Sequence, residues 1–250
     1  MGTALATSAL EELYAERAVA PLGERLGQAL LDLLFPPRCA GCGRMGAWLC
    51  PECLAQVGRV AGRGCARCGR PLGEHAHCPS CRGGTFALAR VRAPFFFEGV
   101  IQQAVHGLKY RGRRVLAGPL GSLLAAYLGV LSWPAATIVP VPLHRERQRS
   151  RGYNQSALLA RALARKSGWP LLEQGLVRWR HTRPQVGLDA AGRRENVEGA
   201  FRWEGDAPPP ERVLLLDDVY TTGATMEAAA AALRAAGTKE VRGLALARPR

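Results

Sequence analysis

The apolar residues at 213–216, Val-Leu-Leu-Leu, run unbroken up to the paired acids Asp217 and Asp218. A run with no polar face predicts a strand buried on both sides of a parallel sheet. A second such run, at 138–141, predicts another strand. After the first run, the alanines at 228–232 and Leu233 favour a helix, with Gly237 as its candidate C-cap. Asn154 and Gln155 stand where a further helix begins, continuing through Leu158, Leu159, Ala162 and Leu163. Residues 115–143 carry no charge, longer than the ~20 residues of a spanning helix, but Gly118, Pro119, Gly121, Gly129, Pro134, Pro140 and Pro142 punctuate the stretch. It reads as a helix followed by a buried strand. From 178 to 196 the chain is polar, basic and turn-rich, too long for a simple connection, which predicts a mobile functional loop.

The 250 residues, 48% hydrophobic and 22% charged, exclude a disordered or low-complexity chain and suit one full-sized domain with a small one beside it. Glu11, Glu12 and Glu16 stand where a secretory signal carries a basic start and an apolar run, so no membrane insertion and a cytoplasmic location are expected.

All eight cysteines fall between 39 and 81 in C-x-x-C pairs: Cys39/Cys42, Cys50/Cys53, Cys65/Cys68 and Cys78/Cys81. Two such pairs form the four-thiolate cage of a closed structural zinc site, so two Zn²⁺ ions are expected. A segment this rich in Gly and Pro has few apolar residues for a core, so metal supplies its folding energy. A disulfide framework would need the oxidising compartment that a secretory signal implies. Sequential pairing, Cys39/Cys42 with Cys50/Cys53 and Cys65/Cys68 with Cys78/Cys81, closes shorter loops than an interleaved cross-brace; spacing alone leaves both open. His75 and His77 are read as loop histidines. Closed four-cysteine sites leave no position for water, which excludes a zinc-dependent hydrolase.

The formal charge is +14, carried by 31 arginines and three lysines, so the molecule should attract phosphates. Thirteen basic against five acidic residues between 140 and 203 place net +8 there. Arg145, Arg147, Arg149 and Arg151 form a basic loop after the second predicted strand. Two readings stand for it, a diphosphate cradle and a nucleic-acid contact, and one loop can serve both. Tyr153, Trp169, Trp179 and Trp203 are candidate stacking platforms for single-stranded nucleic acid, or core. His106 and His181 qualify as proton carriers on residue type alone.

Between the strand ending at Asp218 and the alanine-rich helix lies Tyr220-Thr221-Thr222-Gly223-Ala224-Thr225. A strand, a small polar loop and a helix point backbone N–H groups and the positive end of a helix dipole at an anion. Thr221, Thr222 and Thr225 add hydroxyl donors, and Gly223 lets the backbone close on phosphate. Asp217 and Asp218 would repel phosphate alone. They suit a ligand that also presents sugar hydroxyls or a divalent cation, and a phosphorylated ribose meets both needs.

The run 213–225 resembles the phosphoribosyl-pyrophosphate (PRPP) motif of type I phosphoribosyltransferases. The whole chain resembles the ComF competence-protein family, from Leu30 through Leu108-Lys109-Tyr110, the segments 139–144 and 151–155, and Thr182, Gln185, Leu188, Arg193 and Asn196. The resemblance implies an α/β fold with a mainly parallel, type I phosphoribosyltransferase-like sheet flanked by helices, preceded by a zinc-ribbon module. The expected organisation is an N-terminal helical extension over 1–35, a double zinc ribbon over 36–86 and the phosphoribosyltransferase-like domain over 87–250. By the same resemblance Asp217 and Asp218 hold the ribose hydroxyls with Mg²⁺, and Thr221, Thr222, Gly223, Ala224 and Thr225 hold the 5′-phosphate. Arg145, Arg149, Arg151, Asn154 and Gln155 cradle the diphosphate, and Thr182, Gln185, Arg193 and Asn196 sit on a flexible lid, from which Arg193 or Arg194 reaches the leaving group. Thr221 replaces the Asp of purine-specific members, which weakens a purine-salvage reading. The implied partners are PRPP, single-stranded DNA and the helicase and other proteins of the uptake machinery. The role this implies is a PRPP-binding, transferase-like protein of natural competence that handles imported single-stranded DNA; the alternatives are a non-catalytic, zinc-containing DNA-binding or PRPP-sensing factor and a phosphoribosyltransferase of nucleotide metabolism unrelated to DNA uptake.

Overall fold

The computed structural model describes residues 36–62, 64–72, 77–182 and 190–250, without the side chains at 190, 191, 193 and 194. The expected extension over 1–35, His75, Gln185, Leu188 and the side chains of Arg193 and Arg194 lie outside the described part. The described residues of the cysteine-rich segment include the short helix α1 (Pro51–Ala55) and a 3-10 turn at Pro79–Cys81, and strands β1 (Arg90–Arg92) and β2 (Phe95–Phe96) follow. Then come α2 (Gly99–Tyr110), α3 (Ala117–Leu131), β3 (Thr137–Pro140), α4 (Arg145–Arg151), α5 (Gln155–Ser167) and β4 (Leu176–Arg178). The chain ends with α6 (Ala190–Val197), β5 (Phe201–Trp203), β6 (Arg212–Val219), α7 (Ala224–Ala235) and β7 (Glu240–Arg248).

This is an α/β fold around a parallel sheet. Strand β7 pairs with β1 and β2 on one side and β6 on the other, and β6 pairs with β3. Strands β4 and β5 form a separate antiparallel pair. Both apolar runs are strands, and residues 213–216 are at most 1% exposed, as burial on two faces requires. Leu214, Leu216, Leu244 and Leu246 face the core filled from α2, α3 and α5, including Ile101, Leu120 and Leu159. Val213, Leu215, Val241 and Ala245 pack on the opposite side against Met226, Ala229 and Leu233 of α7.

Among the described residues one helical stretch, Arg114–Leu131, has the length and composition to cross a membrane. Its Leu116, Leu120 and Leu124 are fully buried in the core against the sheet. Gly121 sits where α3 meets α5, and a Cβ there would strike Ala162. The glycine therefore sets how closely the two helices approach.

Two segments depart from the sequence reading. The expected basic loop after β3 is helix α4, capped by the His144 side chain, which accepts from Glu146 N, and ended by Gly152 at φ 78°. Arginine and glutamine are good helix formers, but α4 has no buried residue and so no apolar periodicity to announce it. The polar stretch from 178 to 196 likewise ends in helix α6. The cysteine module is built into the larger domain: Cys39, Leu49, Cys50 and Leu54 share a buried cluster with Val100 and Ile101 of α2.

Candidate functional site

Pro140 at the end of β3 pairs with Leu216 of β6, so the segments leaving both strands emerge side by side at the carboxyl edge of the sheet. Ligands of open parallel sheets bind at this edge. A cleft of about 590 Å³ opens there, lined by Asp217, Asp218, Thr221, Gly223, Ala224 and Thr225 from the β6–α7 connection and Arg147, Arg151 and Gln155 from α4 and α5. Lys109 and Tyr110 close it from the end of α2.

The acidic pair is held from two sides. Lys109 Nζ lies 2.7 Å from Asp218 Oδ2, and the Asp218 side chain is only 4% exposed. Burial opposes the charge on Lys109, but the Asp218 carboxylate outweighs it and raises the ammonium above its ordinary range. Asp217 Oδ1 accepts from Ser156 Oγ at 2.8 Å and from Asp218 N at 2.9 Å. Burial and then the neighbouring Asp218 charge push the Asp217 carboxyl up to about 7, against the pull of Lys109 and Ser156. Lys109 and Ser156 complete the pair, and neither follows from the motif itself. The signal for Lys109 was a lone lysine among arginines, ending an amphipathic stretch.

The connection after β6 is a short turn that ends at the helix α7. Gly223 is the N-cap of α7 at φ 82°, a left-handed conformation that glycine adopts without strain. Glu227 N makes the first helical bond, to Gly223 O, so the opening N–H groups of α7 and the positive end of its dipole face the cleft lining. Thr222 does not line the cleft; its Oγ1 accepts from Ala224 N at 3.4 Å and shapes the turn.

The expected basic residues divide between two clefts. Arg151 and Gln155 face the acidic pair, joined to each other by a hydrogen bond from the guanidinium to the amide oxygen. Arg145, Arg149 and Asn154 line a neighbouring cleft of about 810 Å³ together with Trp179 and Arg202. Asn154 is a helix cap there: its Oδ1 accepts from Ser156 N at 2.9 Å and its Nδ2 donates to Val141 O at 3.0 Å. Arg147 and Arg178 line the cleft of the acidic pair together with Arg151. Arg178 is buried, and desolvation followed by the nearby Arg147 charge lowers its guanidinium to about 10. Its guanidinium donates to Thr182 Oγ1, and Arg147 Nη2 donates to Thr182 O at 3.0 Å. Thr182 is thereby pinned beside the cleft, and Asn196 lies on α6.

Of the aromatic candidates only Trp179 is broadly exposed, at 51%. Tyr153 is core, its hydroxyl donating to Leu108 O, and Trp203 Nε1 donates to Ala207 O at 2.8 Å. Tyr110, 70% exposed, is an aromatic platform that the sequence reading missed, with Arg151 5.5 Å from its ring. His106 lies between the rings of Phe97 and Tyr110.

The cysteines gather sequentially. Ligand atoms of Cys39, Cys42, Cys50 and Cys53 lie within 4.8 Å of one another, as do those of Cys65, Cys68, Cys78 and Cys81. The Cys42–Cys50 and Cys68–Cys78 sulfurs are 3.6 and 3.7 Å apart. Tetrahedral zinc with bonds of ~2.3 Å sets sulfurs about 3.8 Å apart, so both cages fit the ion. Gly41 N and Cys50 N each donate to Cys39 Sγ at 3.4 Å. The second cage packs on Tyr220, the residue that opens the connection between β6 and α7. Arg248 Nη1 reaches Cys68 O at 2.7 Å, and its guanidinium lies 5.8 Å from the Tyr220 ring. Beyond this cage, the N–H groups of Ala87 and Leu88 donate to the Glu227 carboxylate in the first turn of α7.

Comparison with known proteins agrees with this arrangement. Residues 30–82 match the double zinc ribbon domain family. The chain is 33% identical over 211 residues to competence protein F of Haemophilus influenzae, covering 80% of this chain and 90% of that protein. It is 28% identical over 192 residues to competence protein ComFC of Bacillus subtilis, covering 74% and 77% respectively. With the DNA utilization protein YhgH of Escherichia coli K12 it shares 32% identity over 193 residues, 73% of this chain and 82% of the other. Cage geometry and the family match together make the cysteine-rich segment a structural zinc module.

Proposed function

The chain belongs to the ComF competence-protein family, and from that premise we propose that it binds PRPP in the cleft beside Asp217 and acts in DNA uptake, handling single-stranded DNA on its basic face. The observation that carries the reading is the placement of two carboxylates at the end of β6, seven and six residues before the dipole-positive start of α7, with Arg147 and Arg151 across the same cleft. Carboxylates accept the ribose 2′ and 3′ hydroxyls, while the amides at the start of α7 with Thr221 and Thr225 enclose the 5′-phosphate. Arg147 and Arg151 meet the diphosphate, whose Mg²⁺ enters as part of the substrate complex.

The ion pair with Lys109 fixes the Asp218 carboxylate in place at the edge of the cleft, where its oxygens can accept a hydroxyl. Arg145 and Arg149 of α4 with the exposed Trp179 supply what a single strand uses, phosphate contacts and a stacking face. The names of the relatives, competence and DNA utilization proteins, support the biological part of the proposal.

Fluorescence anisotropy with a labelled single-stranded oligonucleotide, run with and without PRPP and Mg²⁺, tests the two halves separately. Arg145→Ser with Arg149→Ser should weaken DNA binding and reduce its log–log salt slope by about 1 to 1.5, the equivalent of two lost phosphate contacts. PRPP binding should be unchanged in that variant. DNA binding that is absent, or equally strong in the double variant, contradicts the DNA half.

A further inference from the structure

Outside the two cysteine cages, the described residues contain one further cluster of metal-ligating side chains: His144, Glu146 and His181. One ligand atom from each lies within 4.8 Å of the others. His181 Nε2 is 3.3 Å from Glu146 Oε2, and the two imidazole rings stand 4.9 Å apart at 71°. The residues come from two segments. His144 and Glu146 open α4, while His181 follows β4 by three residues.

These segments are joined by contacts that owe nothing to an ion. His144 pairs with Arg178 in a parallel bridge, and the guanidinium groups of Arg147 and Arg178 both hold Thr182, the neighbour of His181. The two segments that carry the imidazoles and the carboxylate are thus held together before any ligand arrives, which cuts the ordering cost of binding.

We propose that His144, Glu146 and His181 form a third metal site, for a borderline dication of the Zn²⁺ type, open to solvent at its remaining coordination position. Two imidazoles and one carboxylate suit Zn²⁺, Co²⁺ or Ni²⁺ and are poor ligands for Mg²⁺ or Ca²⁺, which take oxygen shells. Three protein ligands leave an exchangeable position, unlike the four-thiolate cages. Arg145 and Arg147 flank Glu146 in sequence, Arg180 precedes His181 and Arg178 pairs with His144, and their positive charge opposes a cation, so the affinity should be well below that of the cages. An anion at the open position would relieve that repulsion, and the site stands whether or not PRPP occupies the adjoining cleft.

The test uses the full, untagged chain with two zinc ions per molecule verified by metal analysis. Isothermal titration with ZnCl₂ should then reveal a third equivalent, weakened at least ~10-fold by His181→Ala and lost in His144→Asn/His181→Ala, a pair that keeps a capping residue at the start of α4. Co²⁺ added to the zinc-loaded protein should give d–d absorption without a thiolate charge-transfer band, and His181→Ala should remove it. Since His181 is an exposed side chain, its replacement leaves the fold testable on its own. No third equivalent, a third equivalent unchanged in both variants, or cobalt that develops a thiolate band overturns the proposal.

Discussion

Asp217 couples what the cleft binds to what it costs the fold. Its carboxyl is raised to about 7 by burial and by Asp218, whereas an unfolded chain titrates near ~3.9. Between those values the folded state keeps a proton that the unfolded chain has released, so stability falls as pH rises through this window, and above it the whole penalty is present. Asp217→Asn removes the titration while retaining an oxygen to accept from Ser156. The variant should be more stable than the parent at pH 8 by about 1–3 kcal/mol, the gap shrinking by about 1.4 kcal/mol per unit as the pH drops below 7. Denaturant unfolding at several pH values measures this. A gap independent of pH would mean that Asp217 ionises at little cost, and the opposite trend that the fold favours its ionised form. Lys109→Met is the complementary case. It leaves Asp218, 3% exposed, without its cation and should cost about 3–5 kcal/mol, mostly recovered by adding Asp218→Asn. A double-mutant cycle by chemical denaturation reads the coupling.

Among the elements, α7 and the turn before it carry the proposed 5′-phosphate site. A Cβ on Gly223 would meet the Tyr220 phenol, and the residue holds φ 82°. Gly223→Ala should therefore displace Tyr220 and destabilise by at least about 1 kcal/mol, with loss of phosphate-ligand binding as the sharper effect. Thermal denaturation and a phosphate-ligand titration on the same sample separate the two. This part of the molecule was legible in the sequence, because an unbroken apolar run, two acids, a threonine-rich turn and an alanine-rich stretch each point to one local structure. Helix α4 was not. Its seven residues bury nothing, so no periodicity distinguishes it from a basic loop, and which arginine faces which cleft depends on helical phase. Arg147 and Arg151, four apart, share a face toward the acids, while Arg145 and Arg149 share the other. The meeting of Ser156 and Lys109 with the acids was hidden for another reason: they come from α5 and α2, 61 and 109 positions away in sequence, and no local pattern marks such a meeting.

For the whole molecule, the zinc module is wired into the domain it precedes. Cysteine spacing predicted both cages, but not that the second would rest on Tyr220 or that Arg248, at the end of the last strand, would reach Cys68 O. Chelation of zinc should thus do more than unfold residues 36–86. It should release Tyr220 and Arg248 and lower the melting temperature of the entire chain, and Cys65→Ser with Cys68→Ser should reproduce the effect. Far-UV circular dichroism during chelator titration checks this, and a main melting transition unaffected by zinc loss would show the module to be separable. The central claim concerns the cleft itself, and its most direct test is a calorimetric titration of zinc-replete protein with PRPP and Mg²⁺. The account predicts saturable one-to-one binding that disappears in Asp217→Ala/Asp218→Ala. Heats indistinguishable from dilution in the parent protein, or binding that survives the double substitution unchanged, would contradict it.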